Sequence, residues 1–190
     1  MNCIALIRGI NVGKTKRIAM ADLQRIFTDL GHGNVRTLLN SGNVISETKG
    51  FNAAKLRAAV EQAITAKFGF TASVTVVSAP ELKKIIDENP MLKVAKDHSR
   101  HFIAFAADRA ALRALRPLLE QPWKPDVLDI TPRAAYLWCE AGAIDSKLSQ
   151  VFGRKAGGTV TLRNWATVLK IHSNIATPTV FQVRARSSAG

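Results

Sequence analysis

Residues 6–17 read LIRGINVGKTKR, and the Gly13-Lys14-Thr15 step within them has the residue types of a nucleotide phosphate loop. Such a loop cradles phosphates with backbone amides while its lysine reaches the terminal phosphoryl groups. Two features argue against that chemistry here. Gly9 stands one residue too close to Gly13 for G-x-x-x-x-G-K-[ST], and the next helical periodicity starts only near Met20, whereas a phosphate loop needs the helix N-terminus at the GK[ST] itself. The one carboxylate that could serve magnesium at a strand end, Asp108, is fully explained as the N-cap of the helix that follows it. No ATP or GTP hydrolysis is expected.

The segment still carries Arg8, Gly9, Asn11 and Gly13, types that allow positive φ and close backbone approach. A second polar stretch, Asn40-Ser41-Gly42-Asn43, reads as a tight turn between strands. A third, Arg163-Asn164-Trp165, is expected in the first turn of a last helix capped by Thr161, where a cation opposes the helix dipole. Arg163 then needs either a carboxylate partner or an anionic ligand, and Trp165 reads as core. Cys3 and Cys139 lie inside apolar strands, where thiols are inert packing. His98 and His101 are three apart with no further metal ligands nearby, so no metal site and no nucleophile–base pair is named.

The elements that must position these residues follow from periodicity. Strands are expected at 3–8, 35–39, 43–47 and 72–78, with amphipathic helices at 20–31 and 52–69 closed by Gly31 and Gly69. That order, β-α-β-β-α-β, is the split βαβ motif. It repeats with strands at 100–107, 126–130 and 134–140, helices at 108–120 and 144–152 (Asp145 as cap), and a short strand at 159–162 before a helix over 163–172. The expected fold is α+β: two ferredoxin-like units, 1–78 and 100–172, joined by a helix and linker at 79–99 and followed by a tail at 173–190. In this topology the loop after the first strand and the turn at 40–43 meet at one end of the sheet. Leu23, Phe27, Leu56, Val60 and Ile64 are expected core residues, and Tyr136, Trp138 and Phe102 are expected to fill the space between the sheets.

Composition narrows the class further. Of 190 residues 47% are apolar, enough to bury a core, and no apolar run approaches a membrane span. The N-terminus lacks a secretory pattern, so a cytoplasmic protein with reduced cysteines is expected. Net charge is +13, with +5 in residues 1–90 and +8 in residues 91–190, a surface that attracts polyanions.

Four stretches, LIRGINVGKTKRIAMADL, LLNSGNVI, YLWCEAGAIDSKL and TLRNWATVLKI, together resemble the bacterial family called domain of unknown function 1697, over about residues 1–172. The resemblance implies a pair of ferredoxin-like units and carries over no activity. Relatives are often glycine-rich after the RGINVG segment without GK[ST], which makes the Lys14-Thr15 pairing incidental. The expected function is binding of an anionic ligand, nucleic acid or a phosphorylated metabolite. The candidate residues are Arg8, Gly9, Asn11, Gly13, Ser41, Gly42, Asn43, Arg163, Asn164 and Trp165. An enzyme acting on a phosphorylated or acidic substrate, and a structural interaction module, are the alternatives. No cofactor, metal or membrane partner is expected, and the sequence leaves the oligomeric state open.

Overall fold

The computed structural model describes residues 1–176. The first sheet is built from β1 (Asn2–Ile7), β2 (Gly33–Leu38), β3 (Asn43–Glu47) and β4 (Val74–Ser78), in the order β2-β3-β1-β4, every neighbouring pair antiparallel. Helices α1 (Met20–Asp29) and α2 (Ala53–Phe68) connect its strands. After α3 (Ala79–Asp87) the plan repeats. Strands β5 (His101–Ala106), β6 (Val127–Ile130), β7 (Ala134–Trp138) and β8 (Val160–Asn164) form a second antiparallel sheet ordered β6-β7-β5-β8. Its helices are α4 (Arg109–Leu115), continued by a 3-10 turn over Arg116–Glu120, and α5 (Lys147–Ala156); α6 (Trp165–Ala176) follows β8.

The apolar runs are continuous because both faces of each sheet are covered. In β1, Cys3, Ala5 and Ile7 face α1 and α2, where they meet Leu23, Phe27, Leu56, Val60 and Ile64. Ile4 and Leu6 face the other way, into a core shared with Ile103, Phe105 and Tyr136 of the second sheet, and with Leu82 and Ile85 of α3 and Trp165 and Val168 of α6. The second sheet's outer face, through Ala104, Ala135 and Leu137, packs on Leu112, Leu148 and Phe152 of α4 and α5. The helices sit where their caps permit. Asn52 Oδ1 accepts from Lys55 N at 2.9 Å, Asp108 Oδ1 from Ala111 N at 2.9 Å, and Gly69 closes α2 at φ 72°.

Four expectations need correction. Arg163 and Asn164 belong to β8, because pairing with β5 continues through Ile103↔Arg163 and Phe102↔Asn164. The cap of α6 is therefore Asn164, whose Oδ1 accepts from Thr167 N at 2.9 Å, while Thr161 is buried and bonded to Thr75 Oγ1 at 2.9 Å. Ser146, not Asp145, caps α5, because its Oγ accepts from Ser149 N at 2.9 Å while donating to Asp126 Oδ2 at 2.7 Å. Phe102 points to the outer face of the second sheet, since strand alternation puts it beside Ala104 rather than Ile103; Tyr136 and Trp138 do face the inter-sheet core. Helix α6 also runs through residues 173–176 of the expected tail, and 177–190 lie outside the described residues.

Candidate functional site

The chain leaves β1 through four left-handed residues, Gly9 (φ 71°), Asn11 (φ 58°), Gly13 (φ 63°) and Lys16 (φ 52°). Asn11 clips the loop shut. Its Oδ1 accepts from Ile18 N at 2.9 Å, and its Nδ2 donates to Ile18 O at 2.9 Å and to Asn40 O at 3.1 Å. The last of these bonds ties the loop to the β2–β3 turn. Ile7 N donates to Gly42 O at 2.8 Å, and the chains approach so closely that a Cβ on Gly42 (φ 75°) would lie 2.9 Å from Ile7 O. No other residue type fits that turn without displacement. The loop from Val12 to Arg17 is exposed, and α1 begins only at Met20 with no side-chain cap, so the geometry of a phosphate loop is absent.

Arg163 reaches this junction from the second sheet. Its Nε donates to Asn43 Oδ1 at 2.5 Å; its Nη2 donates to Ile7 O at 2.8 Å, Ser41 O at 3.0 Å and Gly42 O at 3.4 Å; its Nη1 donates to Leu162 O at 2.9 Å. Asn43 is fully buried and donates in turn to Leu38 O and Ser41 Oγ, both at 2.9 Å. No carboxylate among the described residues pairs with Arg163, and burial pulls its pKa down to about 10. Carbonyl dipoles take the place of a counter-ion. Asn164 serves α6, and Trp165 is buried, stacked on His101 at 5.3 Å between ring centroids.

Arg8, at the rim, donates through Nη1 to Gly157 O and through its backbone N to Ser73 O at 2.8 Å. Gly157 ends α5, whose last turn carries Arg154 and Lys155. Lys16 donates to Thr71 O at 3.2 Å, whereas Lys14, Arg17, Arg154 and Lys155 have no hydrogen-bond or ion-pair partner among the described residues. Thus Ser41, Gly42, Asn43 and Arg163 come together, with Asn11 tied to the same turn through Asn40. The Arg8 side chain instead reaches Gly157, Gly9 and Gly13 shape the loop, and Asn164 and Trp165 turn away from the junction.

Sequence reasoning missed a cluster on the far side of the first sheet. His32 Nδ1 lies 2.9 Å from Ser46 Oγ and 3.7 Å from Cys3 Sγ, with Cys3 Sγ 3.2 Å from Ser46 Oγ. Burial raises the Cys3 pKa and lowers that of His32, so both groups are held neutral rather than activated. Strand alternation places Cys3 and Ser46 on one face, but nothing in the spacing brings His32 there. Among the described residues no group of three or more His, Cys, Asp or Glu could hold a metal, and no helix is long and apolar enough to cross a membrane.

An α+β protein of two antiparallel four-stranded sheets and six helices, the sheets tied together by the Arg163 junction and by the Thr75–Thr161 and Arg8–Gly157 contacts, is what this architecture defines. The chain belongs to the family described as protein of unknown function (DUF1697), whose model matches residues 1–136. That match ends before the Arg163-Asn164-Trp165 segment. Among solved structures the chain is similar to the conserved bacterial protein SP0830 from Streptococcus pneumoniae, with a TM-score of 0.71 and 21% identity, over 90% of this chain and 97% of that one. At that identity the likeness shows the fold. No curated protein matches the chain.

Proposed function

We propose that this is a cytoplasmic anion-binding protein, built from two ferredoxin-like units spanning 1–78 and 100–172, whose ligand is a polyanion of the nucleic-acid type. One observation carries the reading. Two basic segments, the loop 8–17 of the first unit and the C-terminal end of α5 with Gly157 and Gly158 in the second, are joined through the contact between Arg8 and Gly157. Neither segment contains an acidic residue; Arg8 meets the second segment at Gly157, and the two carry Lys14, Lys16, Arg17, Arg154 and Lys155 besides. Arg154 and Lys155 also complement the C-terminal dipole of α5, but that role does not account for Lys14 and Arg17. Gly9, Asn11 and Gly13 shape the ligand-facing loop, while Ser41, Gly42, Asn43 and Arg163 hold its base. Phosphate contacts by such a rim give affinity without sequence preference.

Titration of a labelled single-stranded oligonucleotide over a range of salt concentrations tests this. Affinity is expected to fall steeply with salt. Replacing Lys14, Arg17, Arg154 and Lys155 by glutamine is expected to lower the log–log slope by roughly 3, since each phosphate contact contributes about 0.7 on a single strand. An unchanged slope in that variant overturns the reading.

A further inference from the structure

On the outer face of the second sheet, beside α5, α4 and the turn after it carry Arg109, Arg113 and Arg116. Spacings of four and three residues put them on one helical face, over a rise of roughly 10 Å. All three are exposed, and none has a hydrogen-bond or ion-pair partner among the described residues. Like charges at this spacing weaken a helix, and although Arg113 and Arg116 complement the C-terminal dipole of α4, that role does not account for Arg109. The stripe lines a cavity of about 270 Å³ floored by Leu112, Ile130 and Pro132. A second cavity of about 270 Å³ adjoins it, shares Arg109, Leu112 and Pro132, and lies where β4 and α3 of the first half meet β5 and α4 of the second. Its walls are apolar at Phe51, Val76 and Phe105.

Both carboxylates in this second cavity are engaged. Asp108 Oδ1 caps Ala111 N, and Glu81 takes two bonds from Arg133 Nη1 at 3.1 and 3.0 Å. The first cavity is thus lined by three arginines without partners among the described residues, and the second adds apolar walls together with the engaged carboxylates of Asp108 and Glu81 and the guanidinium of Arg133. A concave site with few convergent polar groups at the meeting of two structural halves is where small molecules bind. Guanidinium groups match phosphate oxygens bidentately.

We infer that this paired cavity binds an organic polyphosphate ester: two or more phosphoryl groups on the Arg109–Arg113–Arg116 stripe, and an apolar, donor-bearing moiety between Phe51 and Glu81. The site uses none of the residues of the loop rim, so its test stands apart from that of the polyanion reading.

Calorimetric titration of the full chain with ATP, and with pyrophosphate as the probe lacking an organic moiety, reads it out at constant ionic strength. ATP is expected to bind one per chain and more tightly than pyrophosphate. The variant R109A/R113A, both positions exposed, is expected to lose at least tenfold in affinity for both probes. F51L, checked for an unchanged melting temperature, is expected to weaken ATP alone. The rim variant K14Q/R17Q is expected to bind ATP as the parent does. Absence of ATP binding at millimolar concentration, ATP affinity indifferent to R109A/R113A, or an equal loss in the rim variant would each overturn the site.

Discussion

Each sheet has a turn between an edge strand and its inner neighbour, and each turn is held by an arginine, but by opposite physics. At the β2–β3 turn Arg163 arrives from the other sheet and is satisfied by the carbonyls of Ile7, Ser41, Gly42 and Leu162 and by Asn43 Oδ1. At the β6–β7 turn Arg133 sits in the turn itself and reaches Glu81 and Glu88 at 3.0 and 2.8 Å, at the surface beside α3. The first arrangement trades hydration of a cation for several directional bonds to groups that themselves need donors. The second leaves its charges half-exposed at the surface, where screening by water and salt weakens an ion pair. A cation locked to carbonyls stabilises a joint; one paired at the surface decorates it.

Removing the guanidinium is expected to have the largest effect. R163A strands buried carbonyls and Asn43 Oδ1 without donors and should destabilise by about 3–4 kcal/mol in chemical denaturation. G42A follows at about 2 kcal/mol, because it combines positive φ with a Cβ only 2.9 Å from Ile7 O. A loss for G42A much below that would show that the turn relaxes and that the joint is softer than drawn. R133A is expected to shift the melting temperature least, and the shift should fade further in high salt.

Two histidines extend the contrast. His32 is partnered by Ser46 and Cys3, whereas both ring nitrogens of the fully buried His101 lack a partner, and burial, followed by the nearby charge of His98, pulls its pKa down to about 4. The unfolded chain, with an ordinary histidine pKa near 6.5, binds more protons between those values. Stability contributed by neutral His101 is thus complete above about pH 6.5 and declines as pH falls toward 4, by about 3 kcal/mol in all. H101F keeps the stack on Trp165 and should flatten that part of the pH–stability curve; an unchanged curve would place the acid sensitivity elsewhere.

The element order was legible because each apolar period has a physical counterpart. Asp108 announces its helix and Gly31 and Gly69 mark helix ends, while the short runs NVISE and AAYLW are strands buried on both faces. The approach of the Arg8 loop to the 40–43 turn followed from topology alone. The role of Arg163 did not. The segment TVTLRNWATVLKI carries strand and helix signals that overlap, and only pairing with β5 decides that the strand wins through Asn164. Once Arg163 lies on a strand edge, its partners are backbone carbonyls, which no residue type in the sequence marks. The Cys3–Ser46–His32 cluster and the α4 cavities were hidden for the same reason, since each is assembled by residues distant along the chain.

In the proposed reading Arg163 is a joint, and the basic segments around Arg8 and Gly157 are the ligand contact. R163Q, which keeps two donors for the carbonyls but removes the charge, separates these roles when melting temperature and the salt slope of oligonucleotide binding are measured on one preparation. A lowered melting temperature with an unchanged salt slope is the predicted result. An unchanged melting temperature with a reduced slope would contradict it and return Arg163 to the ligand.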